Sequence, residues 1–183
     1  MNELLPVGIP GGINSNFAGI PDGSGIVRLG NETLALDSVR YQMWTAAFQA
    51  PEPEMLLDWA TAAGVSEAES VVRTLRDARL IVQQRSDPRV VAAHAIRFIG
   101  TGMGNGREPE SPFVLQGNRG AFVSCGLVVY EALLRSDGTN SITRVSDELQ
   151  ADAPQHLSVL QLVIESLPLL MRGGVIRLDL ART

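Results

Sequence analysis

Gly25-Ile26-Val27-Arg28-Leu29-Gly30-Asn31 and Pro112-Phe113-Val114-Leu115-Gln116-Gly117-Asn118 are the two stretches on which the fold turns. Each is a short apolar run that reads as the first strand of a hairpin. Each continues into a second strand-like run, Thr33-Leu34-Ala35-Leu36 and Ala121-Phe122-Val123-Ser124, and then into a helical pattern. The offset between the two is 87 residues. Further on, Leu80-Ile81-Val82 parallels Val175-Ile176-Arg177 at an offset of 95, so the second copy holds about eight extra residues between its helices. A Gly-rich stretch precedes each hairpin, Val7 to Gly12 and Ile99 to Gly104, and reads as a flexible turn. The repeated order points to one unit built twice.

Helical signals fill the space between strands. In the first copy Asp37 or Ser38 caps a helix with Tyr41, Trp44 and Phe48 on one face. Pro51 and Pro53 end it, and Pro53 suits the first turn of the next helix. That helix carries Leu56, Trp59, Ala60 and Ala63 as its apolar stripe, with Gly64 in the left-handed position beyond its end. Ser66 with Glu69 has the spacing of a capping box for a third helix. Ser86-Asp87-Pro88 reads as a turn, and Val90 to Ile99 as a returning strand that completes a wing. In the second copy a helix from Gly126 to Arg135, a turn at Ser136-Asp137-Gly138 and a helix from Ser141 to Leu149 follow. The last helix starts near Gln155, and Pro168 is expected to kink or end it. The expected core is Trp44, Trp59, Leu75 and Ile81 in the first copy, and Tyr130, Leu134, Leu162 and Ile176 in the second. On that reading Trp59→Ala costs on the order of 3 kcal/mol or more.

A hairpin, three helices and a closing strand or wing resemble the winged-helix class. The fold class is therefore expected to be α+β, as two tandem winged-helix-like units over residues 7–97 and 98–183 packed as one body. Within that class Ile26 to Leu29, Leu34 to Asp37 and Val71 to Ile81 resemble the peptide-recognition units of ribosomal-peptide biosynthesis, the pyrroloquinoline quinone peptide-chaperone type. Leu134 to Ile142 is similar to the opening of the middle helix in the same class. The resemblance implies recognition of a peptide or protein, by strand addition at an open hairpin edge or in a groove beside a third helix.

Composition narrows the function classes. The chain has 183 residues, is 45% hydrophobic and carries a net charge of −5. All fifteen basic residues are Arg, a bacterial-like pattern of GC-rich coding. Seven Arg face eleven acids in residues 1–90, and eight face nine in residues 91–183, so neither half has the basic balance of a duplex-binding surface. No apolar run approaches the roughly 20 residues of a membrane span, and the N-terminus lacks the pattern of a secretory signal, so a cytoplasmic protein is expected. Cys125 is the only cysteine and reads as a small buried apolar residue. With only His94 and His156 besides, no metal site and no cofactor is expected.

No catalytic constellation emerges either. Gly100 to Gly106 tempts a phosphate-loop reading, but Arg107-Glu108-Pro109-Glu110-Ser111-Pro112 cannot open the helix that such a loop needs. There is no Gly-x-Ser-x-Gly, and the paired acids read as caps and solvated faces. The expectation is a non-catalytic interaction module or adaptor for a peptide or protein partner. The alternative is a transcription regulator whose first unit contacts DNA through Arg73, Arg76 and Arg79 while the second dimerises. The apolar helix bearing Leu157, Leu160, Val163 and Ile164 is the candidate interface, between the repeats or in a homodimer.

Overall fold

The computed structural model describes residues 3–15, 19–50, 52–85, 88–103 and 113–182. The chain is α+β and divides into two compact units, residues 1–87 and 88–183.

In the first unit β1 (Leu4–Pro6) pairs antiparallel with β5 (Ile81–Gln83). Between them lie β2 (Ile9–Ile13), β3 (Gly25–Leu29) and β4 (Glu32–Leu36), a three-stranded antiparallel sheet in that order. Three helices follow: α1 (Ser38–Ala46), α2 (Pro53–Ala62) and α3 (Ala68–Asp77). Asp37 caps α1 by accepting from the Arg40 amide, and Pro53 opens α2. The core centres on Trp44, which is fully buried between Tyr41 and Phe48, with Met43, Leu56, Leu75 and Leu80. Its indole N–H reaches the Val7 and Leu80 carbonyls, both at 3.1 Å, where the first and last strands meet. Gly25 lies directly against the Tyr41 ring, and a Cβ there would overlap it, so only glycine lets α1 seat on β3.

The second unit opens with α4 (Pro88–Ala92) and β6 (His94–Phe98). Then come β7 (Thr101–Met103), β8 (Phe113–Gln116) and β9 (Phe122–Cys125), again a three-stranded antiparallel sheet in chain order. They lead into α5 (Leu127–Arg135), β10 (Asp137–Ser141), α6 (Ile142–Gln150), α7 (Val159–Arg172) and β11 (Ile176–Leu180). β6 lies between β10 and β11, antiparallel to both.

Several expectations change. The Gly-rich stretch from Gly8 to Gly12 is no loose turn: from Ile9 on it lies in β2, with a register break between Pro10 and Gly12. Residues 104–112 lie outside the described residues. No wing forms from Val90 to Ile99. Pro88 to Ala92 is helical, and the strand that follows pairs with β10 and β11, so the unit boundary falls at 87/88 and not at 97/98. Asp137-Gly138 is part of a strand and no turn. Ser66 does not cap α3; Glu67 holds the N-cap at φ 61 with no side-chain cap bond. α7 starts at Val159, capped by Ser158, and runs through Pro168 to Arg172. Trp59 is exposed (37%), because Leu56 and Ala60 alone turn α2 inward. Leu134 is exposed as well (61%), since Val129, Ala132 and Leu133 make the buried face of α5. Tyr130 is half-buried, stacked on Phe113 at 4.2 Å.

Hydrogen bonds set the correspondence of the two units more finely than the sequence could. Tyr41 N donates to Asp37 O and Tyr130 N to Gly126 O, while Gly25 pairs with Leu36 and Phe113 with Cys125. Gly25 therefore corresponds to Phe113 at an offset of 88, one residue from the sequence register. In a strand, one residue exchanges the two faces. At the closing strands, Val7 N→Leu80 O and Ile99 N→Val175 O match at the offset of 95. The second unit's extra residues sit in a longer connection before α7 and in α7 itself, which has 14 residues against 10 in α3.

Candidate functional site

The two ends of the first three-stranded sheet are not equivalent. The Gly30-Asn31 loop joins Leu29 to Glu32, with Gly30 at φ 60 as a primed turn requires. A two-residue loop makes the closing pair a hydrogen-bonded one, and hydrogen-bonded pairs then alternate along the ladder. Leu29↔Glu32, Val27↔Leu34 and Gly25↔Leu36 exchange bonds. Thr33 and Ala35 consequently aim their N–H and C=O away from β3, along the open side of β4. Both residues are exposed.

β2, at the opposite end, is blunted. Val27 spends its bonds on Leu34, so Pro10 across from Val27 faces outward, where it has no N–H to offer. The irregularity at Gly11 breaks the same edge, and bulges and prolines are the means by which free edges are kept from pairing. Only β4 presents a regular row of donors and acceptors. Leu34 and Leu36 beneath it are half-buried, apolar surface that an added strand would cover.

The second sheet ends alike. Gly117 N donates to Ala121 O and Gly120 N to Gly117 O, with Gly120 at φ 81, a three-residue hairpin loop with a left-handed glycine. Alternation from the 117/121 pair leaves Phe122 and Ser124 facing outward on β9, and both are exposed. They occupy the places of Thr33 and Ala35.

The sequence candidates fare differently. Arg73 and Arg76 are exposed on α3, and Arg79 is exposed beyond its end. Among the described residues, none of the three takes part in an ion pair. Arg79 sits at φ 56, because Leu80 N→Leu75 O and Arg79 N→Arg76 O close α3 in a Schellman motif. Gly174, at φ 70, holds the equivalent place after α7, with Val175 N→Leu170 O. An arginine stands where glycine is the unstrained choice.

Val163 and Ile164 are buried, on an α7 that packs against α5, α6, α4, β9 and β11 of its own unit. They are core side chains and not an exposed interface. Leu160 is half-exposed. Leu157 precedes the helix, half-exposed, and its carbonyl accepts from Gln150 Nε2 while Gln150 Oε1 takes the Val159 amide.

His94, Asp179, Arg177 and Cys125 are engaged in the fold, while His156 is exposed. His94 is buried in β6 with Nδ1 at 2.7 Å from Val90 O. Asp179 is buried and accepts from Arg97 at 3.2 Å. Arg177 donates to Ile176 O and Met171 O; burial, with Arg119 nearby, lowers its pKa to about 10, so it remains charged at neutral pH. Cys125 is buried on the inner face of β9, and burial raises its thiol pKa. Among the described residues no three His, Cys, Asp or Glu side chains gather to hold a metal, and no helix is long and apolar enough to cross a membrane. Neither family profiles, nor curated proteins, nor solved structures gave a match to this chain.

What the sequence missed was which edge is open. The signal was present in Pro10, but its meaning depends on the register of β2 against β3.

Proposed function

We propose that the chain is a tandem of winged-helix-like units acting as a non-catalytic interaction module, which captures an extended peptide or protein segment by strand addition along β4. The observation that carries this reading is the asymmetry of the sheet. β4 offers the outward N–H and C=O of Thr33 and Ala35, while β2 is closed to pairing by Pro10 and its register break. Main-chain bonds supply affinity in this mode, and the side chains flanking the added strand supply selectivity. Four backbone bonds at about 0.5–1.5 kcal/mol each, with the burial of Leu34 and Leu36, suit a micromolar peptide complex.

Ala35→Pro is the direct test. It removes an outward donor and leaves the ladder to β3 intact, since Ala35 makes no bond to that strand. Peptides selected from a random display library on the wild-type chain should lose about tenfold or more in affinity for the variant, whose melting temperature stays within a few degrees. Selected peptides that bind the folded variant unchanged would refute strand addition at β4.

A second reading keeps the first unit as a DNA contact through Arg73, Arg76 and Arg79. It is favoured by their exposure, by the lack of ion pairs on them among the described residues, and by the strained arginine at position 79. Retention on heparin and a gel shift with random duplex, both falling steeply with salt and both lost in the triple Ala variant, would support it. Elution at low salt with no shift would remove it.

A further inference from the structure

We infer that the open edge of β9 pairs antiparallel with the same edge of a second copy of the chain, joining two three-stranded sheets into one of six strands. This goes beyond peptide capture at β4 and rests on a different edge.

The first ground is the chemistry of β9. Natural edge strands are commonly blunted by a charge, a proline or a bulge. Phe122-Val123-Ser124-Cys125 has none of these, and no charged residue occurs from Gly120 to Tyr130. β4, by contrast, carries Glu32 and runs into Asp37 on an acidic chain, so its self-pairing would bring acids of two copies together.

The second ground is the comparison of matched positions. Thr33, Ser38 and Thr45 of the first unit correspond, at an offset of 89, to Phe122, Leu127 and Leu134 of the second. Those three are exposed to 61%, 52% and 61%. One fold thus carries hydroxyls on one copy and large apolar side chains on the other, at positions its own core does not use. Of the three, Phe122 lies on the open strand itself, where an added strand would cover it.

The third ground is self-complementarity, which selects a second copy over an unrelated strand. A two-fold axis at Val123 sets Phe122 of one copy opposite Ser124 of the other, and the reverse. The outward N–H and C=O groups of these residues then exchange four bonds, and on each side a large ring faces a small side chain. An isologous contact needs just this reciprocity.

Sedimentation equilibrium of the full chain, over roughly a hundredfold range of concentration, is the test. The mass should rise from 19.6 kDa toward twice that value. The Phe122 and Ser124 amides should become slower to exchange as the dimer fills. Phe122→Lys, which leaves the backbone unchanged, and Ser124→Pro, which removes an outward donor, should both hold the chain at monomer mass. Ala35→Pro should leave the dimer intact, so loss of peptide capture and loss of dimer are separable. If Ser124→Pro does not fold, Phe122→Lys alone decides. A wild-type chain that stays monomeric throughout overturns the inference. So does a dimer that persists in folded Phe122→Lys, or one that forms without slowing the Phe122 and Ser124 amides.

Discussion

The chain has two tryptophans, Trp44 and Trp59, and the structure assigns them opposite weights. Trp44 is fully buried, edge-on to Phe48 with ring centres 5.1 Å apart, and its N–H bridges Val7 O and Leu80 O. In Trp44→Phe the indole donor is lost. Leu80 O keeps its bond from Val7 N, while Val7 O loses its indole donor deep in the core. That loss costs about 1–3 kcal/mol. The smaller ring leaves a void worth on the order of a further 1 kcal/mol, at ~24 cal/mol per Å³ of cavity. A total of about 2–4 kcal/mol in a unit of this size moves its melting temperature by on the order of 10 °C or more. Trp59→Phe, at a 37% exposed site on the flank of α2, should cost about 1 kcal/mol or less. Urea unfolding followed by far-UV circular dichroism gives both values. Iodide quenching should spare the emission remaining in Trp59→Phe and diminish that remaining in Trp44→Phe. Equal destabilisation by the two substitutions, or equal quenching of the two rings, would refute the assignment of Trp44 as the pin between the first and last strands.

Other outcomes follow from single features. In hydrogen exchange on the free protein, the Thr33 and Ala35 amides should exchange fast and those of Leu34 and Leu36 slowly; the reverse pattern would place the ladder one residue out of register. Gly117→Ala sets a Cβ against the Gly173 backbone carbonyl, which cannot turn aside as a side chain can, so it should cost about 2 kcal/mol or more in thermal unfolding, and an unchanged midpoint would deny that contact. Arg79→Gly should stabilise the first unit by about 1 kcal/mol, because it relieves a left-handed arginine in the Schellman position. The Asp137 carboxylate accepts from the Thr139 hydroxyl first, then from the Asn140 and Thr139 amides, which lowers its pKa to about 2. Its stabilising contribution is therefore complete above the ordinary value of about 4 and is lost as pH falls toward 2. A carboxyl resonance for Asp137 titrating near 4 would contradict this geometry.

Local chemistry was legible in the sequence at several positions where one residue decides one backbone event, though not at Ser66 or Asp137-Gly138. Asp37 as a cap, Pro53 at a first turn, Gly64 at φ 72 and the two hairpin turns each act through neighbours within four residues. The matching order of Leu80-Ile81 and Val175-Ile176 was legible for the same reason, since apolar runs announce strands by themselves. What faced the core was less so. Trp59 and Leu134 lie beside buried neighbours on their helices, and a shift of one residue, about 100° of helix, separates core from solvent. Only packing against the other helices settles that angle.

Beyond the two hairpins, strand pairing was decided by the tertiary structure. The sequence announces strands at Leu80-Ile81-Val82 and Val90 to Ile99 but does not say what each joins. The structure gives β5 to β1 and β6 to β11, ladders closed between residues far apart in the chain. The open edge belongs to the same category. Thr33 and Ala35 present their backbone outward, and Pro10 seals the other side, only because β2, β3 and β4 adopt one register. A strand has period two, so register decides which residues face outward, and register is a property of the pair and not of either strand.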